Sequence, residues 1–259
     1  MAGERLRDLL DFAVEVAWRA GQVTLAHYQT GVVAETKSDR TPVTVADRAS
    51  ERTARDLIEA RFPDDGILGE EFGETRPYAR RRWVLDPIDG TKSFVAGVPF
   101  YGVLVGLEID GEAVVGVTHF PALGETVYAA RGEGCWWNGR RARVSTVDRI
   151  EDAILVTTDA ESMIAQGREA QWDRLRHRCR FTRTWGDCYG HALVATGRAE
   201  IMLDPILSPW DAAALLPITE EAGGSFTSWT GERTFRGGSG VSTNAALAAA
   251  TRAILAGDE

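Results

Sequence analysis

The segment W-V-L-D-P-I-D-G-T-K at residues 83–92 constrains the fold and the function of this chain more than any other stretch. Its apolar start is typical of a short strand, and two carboxylates, Asp86 and Asp89, follow where that strand ends. Gly90 and Thr91 then favour the start of a helix, whose free N–H groups suit an anionic ligand. Hard carboxylate oxygens beside an anion-binding backbone predict a site for Mg²⁺ and a phosphate group.

The same segment also fits a purely structural interpretation. Asp, Pro and Gly are ordinary turn residues, so a strand that ends in a tight turn would give this pattern without a bound ion. Further acidic residues favour the metal site, because Asp47, Glu70 and Asp211 each lie at the end of an apolar run or at a helix start. Asp211, in S-P-W-D-A-A, is equally typical of a helix N-cap.

Composition limits the class of protein. The chain has 259 residues, 44% of them hydrophobic and 26% charged, as in soluble globular proteins. A net charge of −9 argues against nonspecific nucleic-acid binding, and no apolar run is long enough to span a bilayer. The charged N-terminus is unlike a signal peptide, and the spacing of three cysteines indicates no disulfide framework. We therefore expect a cytoplasmic protein with neither a nucleic-acid nor a membrane partner.

Hydrophobic periodicity predicts helices and strands along the whole chain. The predicted helices cover residues 4–29, 44–62, 161–178, 186–197, 211–222 and 244–255. The predicted strands include 32–36, 100–109, 113–120, 125–130, 154–157 and 201–203, with hairpin turns at Asp110-Gly111 and Asn138-Gly139. Such a mixture predicts an α/β protein of layered helices and sheets, forming one unit over residues 1–259 with coupled halves at about 1–145 and 146–259.

Several motifs occur together and in one order: G-E-E at 69–71, W-V-L-D-P-I-D-G-T at 83–91, P-W-D-A-A at 209–213 and E-E-A-G-G at 220–224. In this combination the chain resembles the inositol monophosphatase-like family of Mg²⁺-dependent, lithium-sensitive sugar phosphatases. The resemblance extends from about Lys37 to Gly224. It implies an α-β-α-β-α sandwich that hydrolyses small phosphomonoesters, and a homodimer, since such proteins are commonly dimeric.

The resemblance also implies metal ligands. Glu70, Asp86 and the backbone carbonyl of Ile88 would hold one Mg²⁺. Asp86, Asp89 and Asp211 would hold a second ion, with Asp86 bridging the two. A third, weaker ion would depend on Glu70 and water, which gives two to three ions in each active site. Two metal ions can stabilise both the attacking and the leaving oxygen of an in-line displacement.

Catalytic and phosphate-binding roles follow from the same resemblance. Glu70 and the Thr91 hydroxyl would accept or relay the proton of a metal-activated water. Asp47, in T-V-A-D-R, matches the family acid that orients this threonine. The substrate phosphate would lie against Asp89 and would be bound by the backbone N–H groups of Gly90 and Thr91.

Two further aspartates bear on the alcohol that carries the phosphate. Asp187 and Asp204 match the positions that face the substrate ring in inositol phosphatases, where the residue matching Asp187 is commonly small and neutral. Two carboxylates favour a cationic group through charge-assisted hydrogen bonds. The segments at residues 86–99, 119–139 and 185–191 also resemble the histidinol-phosphatase branch, although Ala96 stands where that branch more often has arginine. We therefore expect dephosphorylation of L-histidinol phosphate to L-histidinol in histidine biosynthesis.

Other interpretations stay open at this point. Asp187 would also serve as a helix N-cap after Gly186, and Asp204 as a turn residue before Pro205. An inositol monophosphatase or another sugar-alcohol phosphatase is the alternative enzyme. A phosphoadenosine or fructose bisphosphate phosphatase is less favoured, because no extra basic cluster would bind a second phosphate. A non-catalytic metal-binding or ligand-binding regulator is disfavoured by the intact acidic motifs.

Overall fold

The structure is a computed structural model that describes residues 4–36 and 42–257; Lys37, where the resemblance begins, lies outside the described residues. The helices in these ranges are α1 (Leu6–His27), α2 (Val45–Arg61), α3 (Thr91–Val95), α4 (Ala160–Ala165), α5 (Glu169–Arg176), α6 (Asp187–Ala195), α7 (Pro209–Ala212), α8 (Leu215–Glu221) and α9 (Ala248–Ala256). None of these helices combines the length and apolar character that crossing a bilayer would require.

The strands in the same ranges are short to medium in length. They are β1 (Glu35–Thr36), β2 (Pro42–Val43), β3 (Gly66–Gly69), β4 (Gly73–Thr75), β5 (Arg81–Asp89), β6 (Gly102–Ile109), β7 (Glu112–Phe120), β8 (Glu125–Ala130), β9 (Gly134–Trp137), β10 (Arg140–Arg141), β11 (Ile154–Thr157), β12 (Phe181–Arg183), β13 (Ile201–Asp204), β14 (Ser225–Thr227) and β15 (Gly240–Thr243).

These elements form five layers, which confirms the predicted α-β-α-β-α sandwich. Helices α1 and α2 cover one face of a sheet with strand order β10-β9-β8-β7-β6-β5-β3-β4. Helices α6, α7 and α8 fill the space between this sheet and a second one, of order β12-β11-β13-β15-β14. Helices α5 and α9 pack together against the outer face of the second sheet. The division into halves at 1–145 and 146–259 stays a prediction.

The antiparallel part of the first sheet depends on its hairpin turns. Asp110 and Gly111, between β6 and β7, have φ angles of 54° and 88°. Asn138 and Gly139, between β9 and β10, have φ angles of 47° and 77°. Two successive residues with positive φ are typical of the type I′ turn, whose twist matches that of a two-stranded hairpin. Both predicted hairpins are confirmed by the pairing of these strands.

Strands β3 and β5 are parallel neighbours, and this pairing brings two acidic motifs together. Gly69 is paired with Leu85, and the backbone N–H of Glu70 donates to the carbonyl of Leu85 over 3.2 Å. Parallel strands end at the same edge of a sheet, so Glu70 and Asp86 emerge side by side. In the second sheet, β11 and β13 are also parallel neighbours, and Thr157 is paired with Leu203 near the ends of both strands.

Paired glycines allow the central helices to lie close to the first sheet. Gly106 on β6 and Gly116 on β7 are cross-strand partners. A Cβ at Gly116 would lie 2.0 Å from the carbonyl oxygen of Ala214, and a Cβ at Gly106 would lie 2.9 Å from the Cβ of Ala213. Both alanines belong to the segment that joins α7 to α8. The absence of two side chains therefore sets the distance between the sheet and the helix that carries Asp211.

Two of the helices predicted as continuous are each divided into two shorter helices. The predicted helix at 161–178 is divided into α4 and α5, because Gly167 adopts a left-handed φ of 65° and ends the first piece. The predicted helix at 211–222 begins earlier, at Pro209, and is divided into α7 and α8. Pro217 is the physical reason for this division, since it has no N–H to donate to the carbonyl of Ala213.

Two further elements differ from the prediction in their bounds, and one strand was not predicted. The predicted strand at 32–36 is reduced to the two residues of β1, and the predicted helix at 244–255 starts only at Ala248. The side chain of Asn244 accepts the backbone N–H of Leu247 over 2.9 Å, so it closes a turn before α9 instead of starting the helix. Strand β12 was not predicted, because its sequence F-T-R has a single apolar residue and so gives no apolar run.

We expect Gly116→Ala to destabilise the protein and to impair the site on α7. The new methyl group would overlap the backbone oxygen of Ala214, so the helix must move, at a free-energy cost of about 1–3 kcal/mol or more. Urea unfolding measures this cost. Gly124→Ala is the control, because its Cβ would meet no atom within 4 Å, and only its left-handed φ of 63° costs about 1–2 kcal/mol. Equal activity in Gly116→Ala and the wild type would contradict the expected displacement of Asp211.

Candidate active site

Three of the predicted metal ligands converge on one point. Asp86 and Asp89 lie at the end of β5, and Asp211 lies on α7. One carboxylate oxygen from each lies within 4.8 Å of the other two, and Asp86 is buried while the others are partly exposed. The end of β5 and helix α7 thus bring Asp86 and Asp89 close to Asp211, which lies more than a hundred positions further along the chain.

Local hydrogen bonds hold each of these carboxylates in place. The Oδ1 atom of Asp86 accepts the backbone N–H of Ile88 over 3.0 Å. The carboxylate of Asp89 accepts the backbone N–H of Cys188, at the start of α6. The Oδ2 atom of Asp211 accepts the backbone N–H of Ser208 over 2.7 Å. Each aspartate is therefore held by the backbone, and all three line the same cavity.

The structure corrects the N-cap interpretation of Asp211. Ser208 is the N-cap of α7, Pro209 follows it, and Asp211 occupies the third helical position of a capping box. In a capping box the side chain at the third position accepts the N–H of the cap residue, which uses one oxygen of the carboxylate. A capping role and a place in the acidic cluster are therefore compatible.

The three carboxylates repel one another in a poorly solvated place. The pKa of Asp86 is raised well above its ordinary value by burial, and then by the negative charges of Glu70 and Asp89. Burial and the charge of Asp211 raise the pKa of Asp89 to about 7. Burial raises the pKa of Asp211 to about 7. The hydrogen bond from the Ser208 N–H acts in the opposite direction, and the negative charge of Glu70 adds to the increase. A divalent cation would offset this repulsion, and carboxylate oxygens are its preferred ligands.

The acidic cluster opens into a cavity of about 500 Å³. Its lining includes the other residues that the sequence predicts for this site, namely Glu70, Ile88, Gly90, Thr91 and Asp187. Glu70 lines the cavity and acts electrostatically on Asp86 and Asp211, but its carboxylate is not part of the three-residue group. The predicted set therefore shares one cavity, apart from Asp47 and Asp204.

Asp47 is buried behind the cavity, 1% exposed. Its Oδ2 atom accepts both the N–H and the hydroxyl of Thr44, over 2.8 and 2.6 Å, as part of the capping box of α2. The hydroxyl of Thr91 donates to the carbonyl of Ile88 over 3.0 Å instead of to Asp47. The buried Oδ1 atom of Asp47 has no hydrogen-bond partner within the described ranges. The role of Asp47 in orienting Thr91 stays a prediction.

Asp187 is not an N-cap, which corrects the structural alternative for this residue. It is the first residue of α6, Gly186 is the N-cap, and no side-chain cap hydrogen bond is formed in this described part of the chain. Asp187 has a left-handed φ of 51°, and its backbone N–H donates to the Thr158 hydroxyl over 2.7 Å. Its Oδ2 atom would lie 2.9 Å from a Cβ placed on Gly90. The carboxylate therefore lies directly against the turn after Asp89.

Asp204 ends β13 and lines a smaller adjoining cavity of about 160 Å³. The two cavities share Asp89, Thr158, Asp187 and Asp211. The Oδ2 atom of Asp204 lies 3.2 Å from Nε2 of the buried His191, whose Nδ1 lies 2.7 Å from the Ser242 hydroxyl. Asp204 is thus the last residue of β13, directly before Pro205, and it also forms a buried hydrogen bond with His191. His191 fixes this carboxylate from behind.

Six lining residues were not predicted from the sequence: Pro42, Lys92, Ser93, Thr158, Asp159 and Thr184. The positive charge of Lys92 lowers the pKa of Asp187, against the larger upward effects of burial and of Asp89 and Asp204. Thr158 and Asp159 directly follow β11. The rule used for Glu70 and Asp86, a polar residue at the end of an apolar run, would have found both of them.

Comparison with known proteins decides the family. Residues 5–256 match the model of the inositol monophosphatase family. The chain belongs to this family. The predicted enzyme class, a phosphoric monoester hydrolase acting on small phosphate esters, is thereby confirmed, and family membership together with the acidic cluster indicates dependence on a metal ion.

Individual relatives within the inositol monophosphatase family cover nearly the whole chain. The histidinol-phosphatase of Chlorobaculum parvum is 46% identical over 240 residues, which are 92% of this chain and 93% of that protein. The histidinol-phosphatase of Mycobacterium tuberculosis is 39% identical over 246 residues, 93% and 95% of the two chains. Among solved structures, an inositol monophosphatase from Zymomonas mobilis has a TM-score of 0.88 and 31% identity, covering 98% of this chain and all of that one.

We expect Asp86→Asn to abolish activity and yet to stabilise the metal-free protein. The raised pKa of Asp86 means that folding opposes its negative charge, and asparagine carries none. In EDTA the melting temperature should rise by about 2–8 °C, for about 1–2 kcal/mol of relieved repulsion. Scanning fluorimetry with and without Mg²⁺ measures this, and the exposed Asp56→Asn serves as the control. A lower melting temperature of Asp86→Asn in EDTA would contradict the repulsion.

Proposed function

We propose that this protein is a Mg²⁺-dependent phosphatase that hydrolyses L-histidinol phosphate to L-histidinol and phosphate. The observation that carries the proposal is the position of Asp187. Its carboxylate lies against Gly90, beside the turn where the phosphate is expected, and lines the same cavity as the acidic cluster. A positively charged group next to the phosphate of the ester would then lie within reach of Asp187.

The donor set fits Mg²⁺. All its side chains are carboxylates, the hard oxygen ligands that this ion prefers, and the raised pKa values of Asp86, Asp89 and Asp211 indicate charge that lacks compensation. Glu70 and the carbonyl of Ile88 would complete the set for two ions, and a third ion would depend on Glu70. When bound, the ions lower the pKa of a water molecule and offset the charge of the phosphoryl oxygens.

The residues of the chain would orient the reacting groups. Glu70 and the Thr91 hydroxyl would accept or relay the proton of the attacking water, with Asp47 supporting the threonine. This requires the Thr91 hydroxyl to leave the Ile88 carbonyl, to which it donates here. The phosphate would lie beside Asp89 and accept the N–H groups of Gly90 and Thr91. Helix α3 has only five residues, so these donors act as individual N–H groups more than through a helix dipole.

Charge supports a cationic alcohol. Burial raises the pKa of Asp187 well above its ordinary value, and the negative charges of Asp89 and Asp204 raise it further. An ammonium or imidazolium group beside Asp187 and Asp204 would relieve this unfavourable charge through charge-assisted hydrogen bonds. A neutral polyol such as inositol would leave the same carboxylates with weaker partners. Histidinol phosphate carries both an ammonium and an imidazole next to its phosphate.

The relatives support the same choice of substrate. The two histidinol-phosphatases that are 46% and 39% identical to this chain cover more than nine-tenths of it. An inositol or other sugar-alcohol monophosphatase is the alternative, and it is the type of protein that the Zymomonas mobilis structure represents. A place in histidine biosynthesis follows from the proposed substrate. Homodimer formation and a cytoplasmic location stay predictions.

A panel of phosphate esters tests the proposal. Release of phosphate from histidinol phosphate, inositol 1-phosphate and glycerol 2-phosphate should be measured with Mg²⁺ and with EDTA. We expect kcat/KM for histidinol phosphate to exceed that for the neutral esters by at least about tenfold, corresponding to about 1.4 kcal/mol. Activity should vanish in EDTA. Equal kcat/KM values for histidinol and inositol phosphates would overturn the proposed substrate.

We expect Asp187→Asn to raise KM for histidinol phosphate about 10–100-fold and to change KM for a neutral ester little. Asparagine tolerates the left-handed backbone of this position, so the variant removes the charge and preserves the shape. The corresponding loss of a hydrogen bond to a charged group is about 1.5–3 kcal/mol. Steady-state kinetics on both esters measure the difference. Parallel effects on the two substrates would contradict direct recognition by Asp187.

A further inference from the structure

We propose that Glu51, on α2, is a positioning residue that holds the loop of Glu70 in place for metal binding. This inference rests on the proposed function, because it assigns Glu51 a role in the affinity of that site for its metal ions. The loop in question comprises residues 69–73 and connects β3 to β4. It carries Glu70, the one predicted side-chain metal ligand whose carboxylate lies outside the three-residue acidic group.

Within the described ranges, the side-chain hydrogen bonds of Glu51 join it to this loop and to one neighbouring residue of α2. Its Oε2 atom accepts the backbone N–H of Glu71 over 2.7 Å, and its Oε1 atom accepts that of Phe72 over 3.2 Å. Both donors directly follow Glu70. The side chain of Glu51 is 0% exposed, so the carboxylate has taken the place of water as the acceptor for these two N–H groups. Helix α2 therefore fixes the backbone of the loop from within the protein.

Arg55, one turn further along α2, completes the arrangement. Its Nε atom donates to Oε1 of Glu51 over 2.7 Å, and its Nη2 atom donates to the carbonyl of Gly73. The guanidinium thus compensates the buried charge of Glu51 and binds the far end of the loop. A buried carboxylate is tolerated only when it is paired and hydrogen-bonded, and this one has both kinds of partner.

Gly69 shows how closely the carboxylate and the loop are packed. A Cβ at Gly69 would lie 2.0 Å from Oε1 of Glu51 and 2.8 Å from Nη2 of Arg55. A side chain at the residue before Glu70 would displace the ion pair. The first G of the G-E-E motif is therefore explained by the space that Glu51 occupies, as well as by the strand that it ends.

The position of the loop matters because Glu70 acts on the acidic cluster. The backbone N–H of Glu70 donates to Leu85, the residue before Asp86, and its charge raises the pKa values of Asp86 and Asp211. Some residues orient the metal ligands through hydrogen bonds without binding the metal themselves. Replacing such a residue typically weakens metal affinity by about 10–100-fold. Loss of Glu51 leaves two N–H groups without an acceptor and lets the loop relax away from Asp86.

The test compares Glu51→Ala and Glu51→Gln with the wild type. Glutamine has the same volume, so this variant keeps the packing even where alanine reduces folding. Equilibrium binding of Mn²⁺ is followed without substrate by the EPR signal of the free ion, and activity is titrated with Mg²⁺. We expect half-saturation to require about 10–100-fold more metal in Glu51→Ala and an intermediate amount in Glu51→Gln, while kcat at saturating Mg²⁺ falls much less.

Asp65→Ala is the matched control. Asp65 precedes the opposite end of β3, is 7% exposed, and pairs with Arg81 over 2.7 Å while accepting the Trp83 indole N–H over 2.8 Å. It resembles Glu51 in its burial and in pairing with an arginine while accepting a further N–H, and within the described ranges its side chain forms no hydrogen bond to the 69–73 loop. We expect a comparable loss of melting temperature in this variant and wild-type metal half-saturation.

The outcomes separate the inference from the proposed function. Wild-type half-saturation in the folded Glu51→Gln and Glu51→Ala variants, or equal shifts in Asp65→Ala, would overturn the positioning role and leave the phosphatase untouched. A wild-type protein that neither binds Mn²⁺ nor releases phosphate would overturn the proposed function, and the positioning role with it. A shift confined to the Glu51 variants supports both.

Discussion

Negative charge gathered in a poorly solvated place is the constraint on which the rest of this structure depends. Asp86, Asp89 and Asp211 lie close together, burial raises the pKa of each, and the negative charges of neighbouring carboxylates raise each further. A protein bears such a cluster only if its scaffold supplies enough stability from other interactions, and the five-layer sandwich does so through its buried helices and strands. The function follows from the same repulsion, since a divalent cation is the group that relieves it.

Scaffold and site are joined by a few close contacts. Gly106 and Gly116 let the segment between α7 and α8 approach the sheet, and Asp211 is placed accordingly. Glu51 reaches the loop of Glu70 from α2 by binding backbone N–H groups. In each case a residue far from the chemistry determines where a carboxylate lies, because closely packed backbone has few alternative positions.

Under the proposed function, specificity would have a separate origin, in the second sheet and in α6. Asp187 lies against the turn after Asp89, where Thr158 accepts its N–H and its backbone is left-handed, while His191 fixes Asp204 from behind. The acidic cluster itself is built from the first sheet and α7. The choice of alcohol would be made by side chains from the second sheet and α6, so one could change without the other.

Sequence alone was enough to predict the layered α/β class, both hairpin turns, the family and the residues of the acidic cluster, because these depend on local periodicity and on short motifs. It could not show that Gly167 and Pro217 would divide two predicted helices, or that the Thr91 hydroxyl would donate to the carbonyl of Ile88. The three-dimensional packing alone shows which carboxylates lie within 4.8 Å of one another and that Asp187 forms no cap. The physical reason is that such contacts join residues far apart in the chain, whose distances are set by strand pairing and helix packing.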